Sequence, residues 1–259
     1  MRRSRWPLAL GSVVSAVVAA GMFACGDVSG GSDSVLSIQF DSLAAPSVVV
    51  GDTLRDTTGA VVRPSVHAFN FSGAEITAPA VWFQSPDSGV TVDSLTGIVV
   101  GDSLRATPAR IIASVGSLQA IQNVDVTLRP DTIFAVHGLD SVSYSLIDTT
   151  KNLSVALTVE LSHGVSPNDS VVKSYIVSFS IVAQPDPQFA QLVNDQGKPS
   201  IIDTTGTDGI AGRAIRVHPL SLSASNVTDS VIVNATAKYR GVPVSGSPVR
   251  LVLRFKPSL

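Results

Sequence analysis

One cysteine, four histidines and one aspartate-rich stretch are the residues here whose side chains could define a chemical site. His67, His137, His163 and His218 are scattered singly, and none has a second ligand type at metal spacing. The stretch Asp203-Thr-Thr-Gly-Thr-Asp208-Gly209 resembles a cation loop only in its acidity. Calcium takes six to eight oxygens, whereas two carboxylates and some hydroxyls are on offer without Asp-x-Asp spacing. Aspartates capping backbone amides in a turn account for the same residues. Hydrolytic chemistry needs a nucleophile with its base, paired carboxylates or a metal. No Gly-x-Ser-x-Gly elbow, His-Glu-x-x-His or Gly-x-x-x-x-Gly-Lys loop occurs. The expectation is a protein that is not an enzyme, with no cofactor, no metal and no catalytic residues.

The cysteine stands out by position. Three arginines among the first five residues precede an apolar run of small residues that ends at Cys25, the pattern of a signal peptide over residues 1–24. Met22-Phe23-Ala24-Cys25 resembles the lipobox of bacterial lipoproteins, with Met22 and Phe23 departing from the usual leucine and small residue. That resemblance implies acylation of Cys25 and anchoring by lipid, each buried CH₂ contributing about 0.8 kcal/mol. Ordinary secretion and an uncleaved anchor are the competing readings. The second is disfavoured by Gly11, Ser12, Ser15 and Gly21 and by the lack of a basic flank after the run. Residues 25–34 then form the lipidated cysteine and a Gly/Ser-rich linker, whose nine residues after Cys25 span about 15–18 Å. Gly26 stands where an inner-membrane retention signal would carry Asp, so the same resemblance points to the outer membrane. A lone cysteine also excludes an intrachain disulfide.

These features must be carried by strands. Eighteen of the 20 acidic residues are Asp, and lysines number only five, so good helix formers are scarce. Without the three N-terminal arginines the chain has 15 basic and 20 acidic side chains, net −5, which gives nucleic acid no cationic face. Apolar residues alternate at 155, 157, 159 and 161, at 231, 233, 235, 237 and 239, and at 251, 253 and 255. Period two predicts half-buried antiparallel strands and an all-β chain. A strand over 119–128, Pro130, and a new strand from Thr132 predict a boundary at 129/130, giving domains over 35–129 and 130–259. Val49-Val-Gly-Asp-Thr-Leu-Arg55 is echoed by Val99-Val-Gly-Asp-Ser-Leu-Arg105. Nothing repeats a third time, so two similar corners in one sandwich are expected rather than a solenoid. Five Asn-x-Ser/Thr sequons, at Asn70, Asn152, Asn168, Asn226 and Asn234, follow from a Ser/Thr-rich composition.

The order Ser47-Val-Val-Val-Gly-Asp-Thr53, Val81-Trp-Phe-Gln-Ser-Pro-Asp87, Val90-Thr-Val-Asp93, Thr96-Gly-Ile-Val99 and Arg110-Ile-Ile-Ala113 resembles bacterial immunoglobulin-like group 2 domains. That resemblance covers residues 35–128 and implies that Trp82 is a buried strand tryptophan between sheets. In the second half, Val177-Ser-Phe-Ser-Ile181, Thr207-Asp-Gly-Ile-Ala-Gly-Arg-Ala214 and Val231-Ile-Val-Asn-Ala-Thr236 resemble invasin-type immunoglobulin-like domains, without their Gly-Asn-Pro-Val segment. The two resemblances imply immunoglobulin-like antiparallel β-sandwiches in series. The function expected is an envelope lipoprotein that binds or adheres to a protein or glycan partner. A structural spacer or assembly partner without a ligand is the alternative. A binding module should expose an apolar or aromatic patch at one loop end. Gln184-Pro-Asp-Pro-Gln-Phe189 is the candidate loop, with Phe189 packing back on its sheet as the competing reading.

Overall fold

A computed structural model describes residues 34–77, 79–219 and 230–257, so residues 1–24, Cys25 and the linker up to residue 33 lie outside it. The chain is all-β: apart from short 3₁₀ turns, as at Thr149–Lys151, every regular element among the described residues is a strand. The strands of the first half are β1 (Ser37–Phe40), β2 (Ser47–Val49), β3 (Val66–Phe69), β4 (Trp82–Gln84), β5 (Val90–Val92), β6 (Val99–Gly101), β7 (Ala109–Val115) and β8 (Leu118–Thr127). The second half begins with β9 (Thr132–His137), β10 (Leu139–Tyr144), β11 (Leu157–His163), β12 (Ser170–Val171), β13 (Ile176–Ala183) and β14 (Ala190–Val193). It continues through β15 (Ile202–Thr204), β16 (Ile210–Val217), β17 (Ser230–Thr236), β18 (Lys238–Tyr239), β19 (Val242–Pro243) and β20 (Val249–Pro257).

Two hydrophobic cores result, one per half. The first draws Val48, Phe83, Ile111, Val124 and Val126 from a β2-β8-β7-β4 sheet, Val90 and Val99 from the β5-β6 pair and Leu54 from the corner after β2, with Phe40 and Val66 of the β1-β3 pair packed against them. The second lies between a β10-β20-β17-β13-β15 sheet and a β12-β11-β16-β14 sheet, where β9 also pairs with β11. Alternation is strict where the sequence alternates: β16 buries Ala211, Arg213, Ile215 and Val217, and β17 buries Val231, Val233 and Ala235. Each side chain on the inner face removes apolar area from water, while its neighbours meet solvent. Val155 departs from the expected set, because it precedes β11 and is exposed.

In each half an early strand pairs parallel with the last: β2 with β8 from Ser47↔Asp125 to Val49↔Thr127, and β10 with β20 from Leu139↔Val252 to Tyr144↔Pro257. The remaining named ladders are antiparallel. Two packed sheets with this early-to-last parallel pair make each half an immunoglobulin-like sandwich.

Trp82 corrects the expectation of a buried tryptophan. It is 58% exposed, and Phe83 is the inward residue. On a strand one residue faces in and the next faces out, so β4 could bury only one of the pair. Phe83 lies opposite Ala113 and stacks edge-on with Phe40 at 6.4 Å, which leaves Trp82 outside, opposite Ser114.

Candidate functional site

The two repeated corners lie against each other and against the second sandwich. Gly51 N donates to Gly101 O at 2.7 Å, Gly101 N to Asp52 O at 3.0 Å, and Leu54 N to Val99 O at 2.9 Å. The copies then act differently. Asp52 is 4% exposed and accepts from its own Thr53 amide (2.8 Å), from Arg55 Nε (3.1 Å) and, across the junction, from Arg240 Nε (2.8 Å). Burial pushes this carboxyl up, but the hydrogen bonds from Arg240, Arg55 and the Thr53 amide outweigh it and hold Asp52 far below the usual carboxylate range. Asp102, its counterpart, is exposed and accepts from the Thr91 hydroxyl at 2.6 Å. In that second copy the Arg105 carbonyl meets the other sandwich, accepting from Lys173 Nζ at 2.9 Å.

Arg240 reaches Asp52 from a two-residue hairpin turn between β18 and β19, where Arg240 and Gly241 have φ of 51° and 80°. Positive φ at both positions matches the twist of a tight hairpin, but costs a non-glycine residue about 1 kcal/mol or more. Gly241 and Gly59 meet backbone to backbone. A Cβ on Gly59 would stand 2.2 Å from Gly241 N, and one on Gly241 2.6 Å from Thr58 O. Ser47 Oγ to Ser174 O (2.6 Å), Ser174 Oγ to Asp125 Oδ2 (2.6 Å) and Thr127 Oγ1 to Lys173 O (2.7 Å) complete the seam. Ile176 packs on the first core and Leu128 on the second, so the sandwiches are docked by apolar as well as polar contacts. A cleft of about 480 Å³ opens beside the seam, lined by Thr57, Tyr175, Ser178, Thr236, Lys238 and Tyr239 among others.

At the opposite end of the second sandwich a loop over 145–156 is built to hold apolar side chains in water. Asn152 is buried and closes the loop: its Oδ1 accepts from Ser145 N (2.7 Å), its Nδ2 donates to Ser145 O (2.9 Å), and its carbonyl accepts from Val217 N (2.9 Å). Ser154 ties the far side, accepting from Ile215 N at 2.9 Å. Ser145 Oγ accepts from the amides of Ile147 (3.2 Å) and Asp148 (2.9 Å). A buried Asn whose amide oxygen and nitrogen are both hydrogen-bonded fixes backbone rather than filling a core. The fixed tip carries Leu146 and Ile147, and Ile147 is 97% exposed. Beneath it a hollow of about 380 Å³ is lined by Leu146, Thr149, Leu153, Arg216, His218 and Pro219.

The other positions singled out in the sequence resolve as follows. Cys25 lies outside the described residues. Phe189 is fully buried, 4.4 Å from the Phe255 ring, so the 184–189 loop presents no aromatic side chain there. Asp203 accepts from Gly212 N (2.7 Å) and pairs with Arg213 Nη1 (2.8 Å), while Asp208 accepts from Ile210 N (3.0 Å). Both carboxylates thus cap local groups, as the turn reading predicts. His67 joins Glu75 (2.5 Å) and Asp41 (3.0 Å), which raise its pKa, and His163 pairs with Asp131 at 2.7 Å. Among the described residues no group of three or more His, Cys, Asp or Glu is placed to hold a metal ion. Of the sequon asparagines, Asn152 is the buried loop anchor and Asn234 lies within β17. Sequence reasoning missed the 145–156 loop, although Leu146-Ile147 between polar residues was its visible signal.

No protein-family model matches this chain, and no curated protein sequence is similar to it. Solved structures of tandem β-domains align with it at low TM-scores. Domains 4 and 5 of the S-layer protein SbsC match at 14% identity over 85% of this chain and 98% of that one, with a TM-score of 0.31. Domains 5-6 of SbsC match at 15% identity over 87% and 99%, TM-score 0.29. Human Protocadherin-24 EC1-2 matches at 14% identity over 87% and 100%, TM-score 0.28. The fold assignment stands on the sheets described above. Among the described residues no helix is long and apolar enough to cross a membrane.

Proposed function

We propose that this chain is a non-catalytic cell-envelope lipoprotein, anchored through acylated Cys25, whose two docked sandwiches present a binding loop to a protein partner. The domains are residues 35–129 and 130–259, and the outer membrane is the proposed location. One observation carries the reading: the 145–156 loop uses a buried Asn to hold Leu146 and Ile147 in solvent. Exposed apolar side chains on a preorganised loop gain free energy when a partner covers them. Aliphatic side chains, with no ring for sugar stacking, favour a protein over a glycan.

The test is a Leu146→Ser/Ile147→Ser double variant in photo-crosslinking on intact cells. Its unfolding midpoint should equal wild type while crosslinked species disappear. Unchanged crosslinking would remove the loop from the function. A second reading, a spacer with no ligand of its own, is favoured by the seam that fixes the sandwiches together. A spacer predicts no phenotype for the loop variant and a strong one for a shortened chain. Anchoring is tested separately by intact mass: wild type should begin at Cys25 with added acyl mass, and Cys25→Ser should lack it.

A further inference from the structure

The free end of the first sandwich is as apolar as the distal loop. Phe71, Leu95 and Trp82 are 70%, 71% and 58% exposed there, with Leu36 beside them. Each sits on a fixed turn or strand. Asn70 Oδ1 accepts from Ser72 N and Ala74 N (both 3.0 Å), shaping the turn that carries Phe71. Asp93 Oδ1 accepts from Leu95 N (3.1 Å) and Thr96 N (2.6 Å), shaping the turn that carries Leu95. Phe83 N donates to Ser94 O at 3.0 Å, which sets that turn beside β4 and therefore beside Trp82.

Topology puts these residues at one end. Trp82 pairs with Ser114, next to the tight β7–β8 turn, and β8 runs from there toward the junction. The chain from β1 through β2 follows β8, with β2 parallel to it, so β1 starts at the β7–β8 turn end. Leu36 N donates to Phe69 O at 2.8 Å, which brings the β3 end and Phe71 there too. The described chain begins at this same end, at Ser34, nine residues after Cys25. Nine residues of Gly/Ser-rich composition span about 15–18 Å, so an anchored Cys25 keeps this end at the bilayer surface. Tryptophan, with an apolar body and a polar N–H, partitions to the headgroup region, and phenylalanine and leucine add apolar area beneath it.

We propose that this end is a membrane-contacting face, with Trp82, Phe71 and Leu95 seated in the lipid headgroup region and the two sandwiches standing off the bilayer from it. The inference rests on the reading of Cys25 as the acylated residue. It gives the anchor a second, non-covalent hold and makes the first sandwich an oriented base.

The chain supplies its own probe. It contains two tryptophans, and Trp6 falls in the segment that processing removes, so Trp82 alone reports in the mature protein. The full chain, matured in bacteria, is reconstituted into phosphatidylethanolamine/phosphatidylglycerol vesicles, with Cys25→Ser as the soluble reference. Flotation reads anchoring; Trp82 emission and quenching by shallow brominated lipids read the face. Expected are flotation, a blue shift relative to Cys25→Ser, and quenching that falls in Phe71→Ser/Leu95→Ser without loss of flotation. Flotation with solvent-like, unquenched emission overturns the face and leaves the anchor standing. Failure to float overturns the anchor and the face with it. Emission of Cys25→Ser that shifts blue with protein concentration and no lipid means a second copy covers this end, which also overturns the proposal.

Discussion

Replacing Asp52 with Asn tests whether the seam contributes stability. The substitution keeps shape and one acceptor oxygen but removes the charge that Arg55 and Arg240 share. Hydrogen bonds to a charged group contribute about 1.5–3 kcal/mol each. Both guanidiniums are partly in water and recover hydration when the charge is lost, so these values do not add. The expected cost of Asp52→Asn is therefore about 2 kcal/mol near neutral pH. Because folding lowers the Asp52 pKa, the folded state binds this proton less readily than the unfolded state. Its contribution is complete above the unfolded value of about 3.9 and is lost as pH falls below it, at up to about 1.4 kcal/mol per pH unit. Urea unfolding followed by circular dichroism from neutral to acid pH should show that slope in wild type and a shallower one in Asp52→Asn. Solution scattering should show a broader spread of inter-sandwich distances in the variant. Equal midpoints and equal acid slopes would refute the assignment of Asp52 as the buried charge at the seam.

Gly59→Ala forces a Cβ onto the Gly241 backbone at a position with φ of 91°, so it should cost about 2 kcal/mol and loosen the docking, read by the same scattering. Phe83→Ala should lower stability by about 3–5 kcal/mol, whereas Trp82→Ala stays within about 1 kcal/mol; urea titrations of the pair check which residue is core. Asn152→Ala removes the closure of the 145–156 loop and should cost about 2–3 kcal/mol, with protease cleavage appearing near Ile147. His67 has its pKa raised by Glu75 and Asp41, so its contribution is present at low pH and fades as pH rises through the folded value. NMR titration of His67 should show that raised pKa, and Glu75→Gln should lower it.

The strands were the legible part, because a two-residue period on a half-buried sheet is written in the side chains themselves. Thr132 opens β9 as expected, and Leu157, Val159, Leu161, Val231, Val233, Leu251 and Leu253 are all buried. Trp82 was misassigned because it shares β4 with Phe83, and either residue alone satisfies the apolar pattern. What decides between them is the register against β7, a long-range pairing that local spacing does not encode. The repeated Val-Val-Gly-Asp corner is visible in sequence, but its asymmetry is not, because Asp52 is buried against Arg240, a partner 188 residues along the chain, whereas Asp102 is exposed and bonded to the Thr91 hydroxyl. The 145–156 loop escaped for a related reason: a buried asparagine and a surface sequon asparagine look the same in sequence.

The parallel pairing of β2 with β8 and of β10 with β20 has a mechanical meaning. Pulling a sandwich by its two ends slides an early strand lengthwise past the last one, across hydrogen bonds that lie athwart the strands and resist together rather than one after another. The six residue pairs from Leu139↔Val252 to Tyr144↔Pro257 would share such a load in the second sandwich, against three pairs in the first. Under tension along its length, the first sandwich is therefore the weaker link.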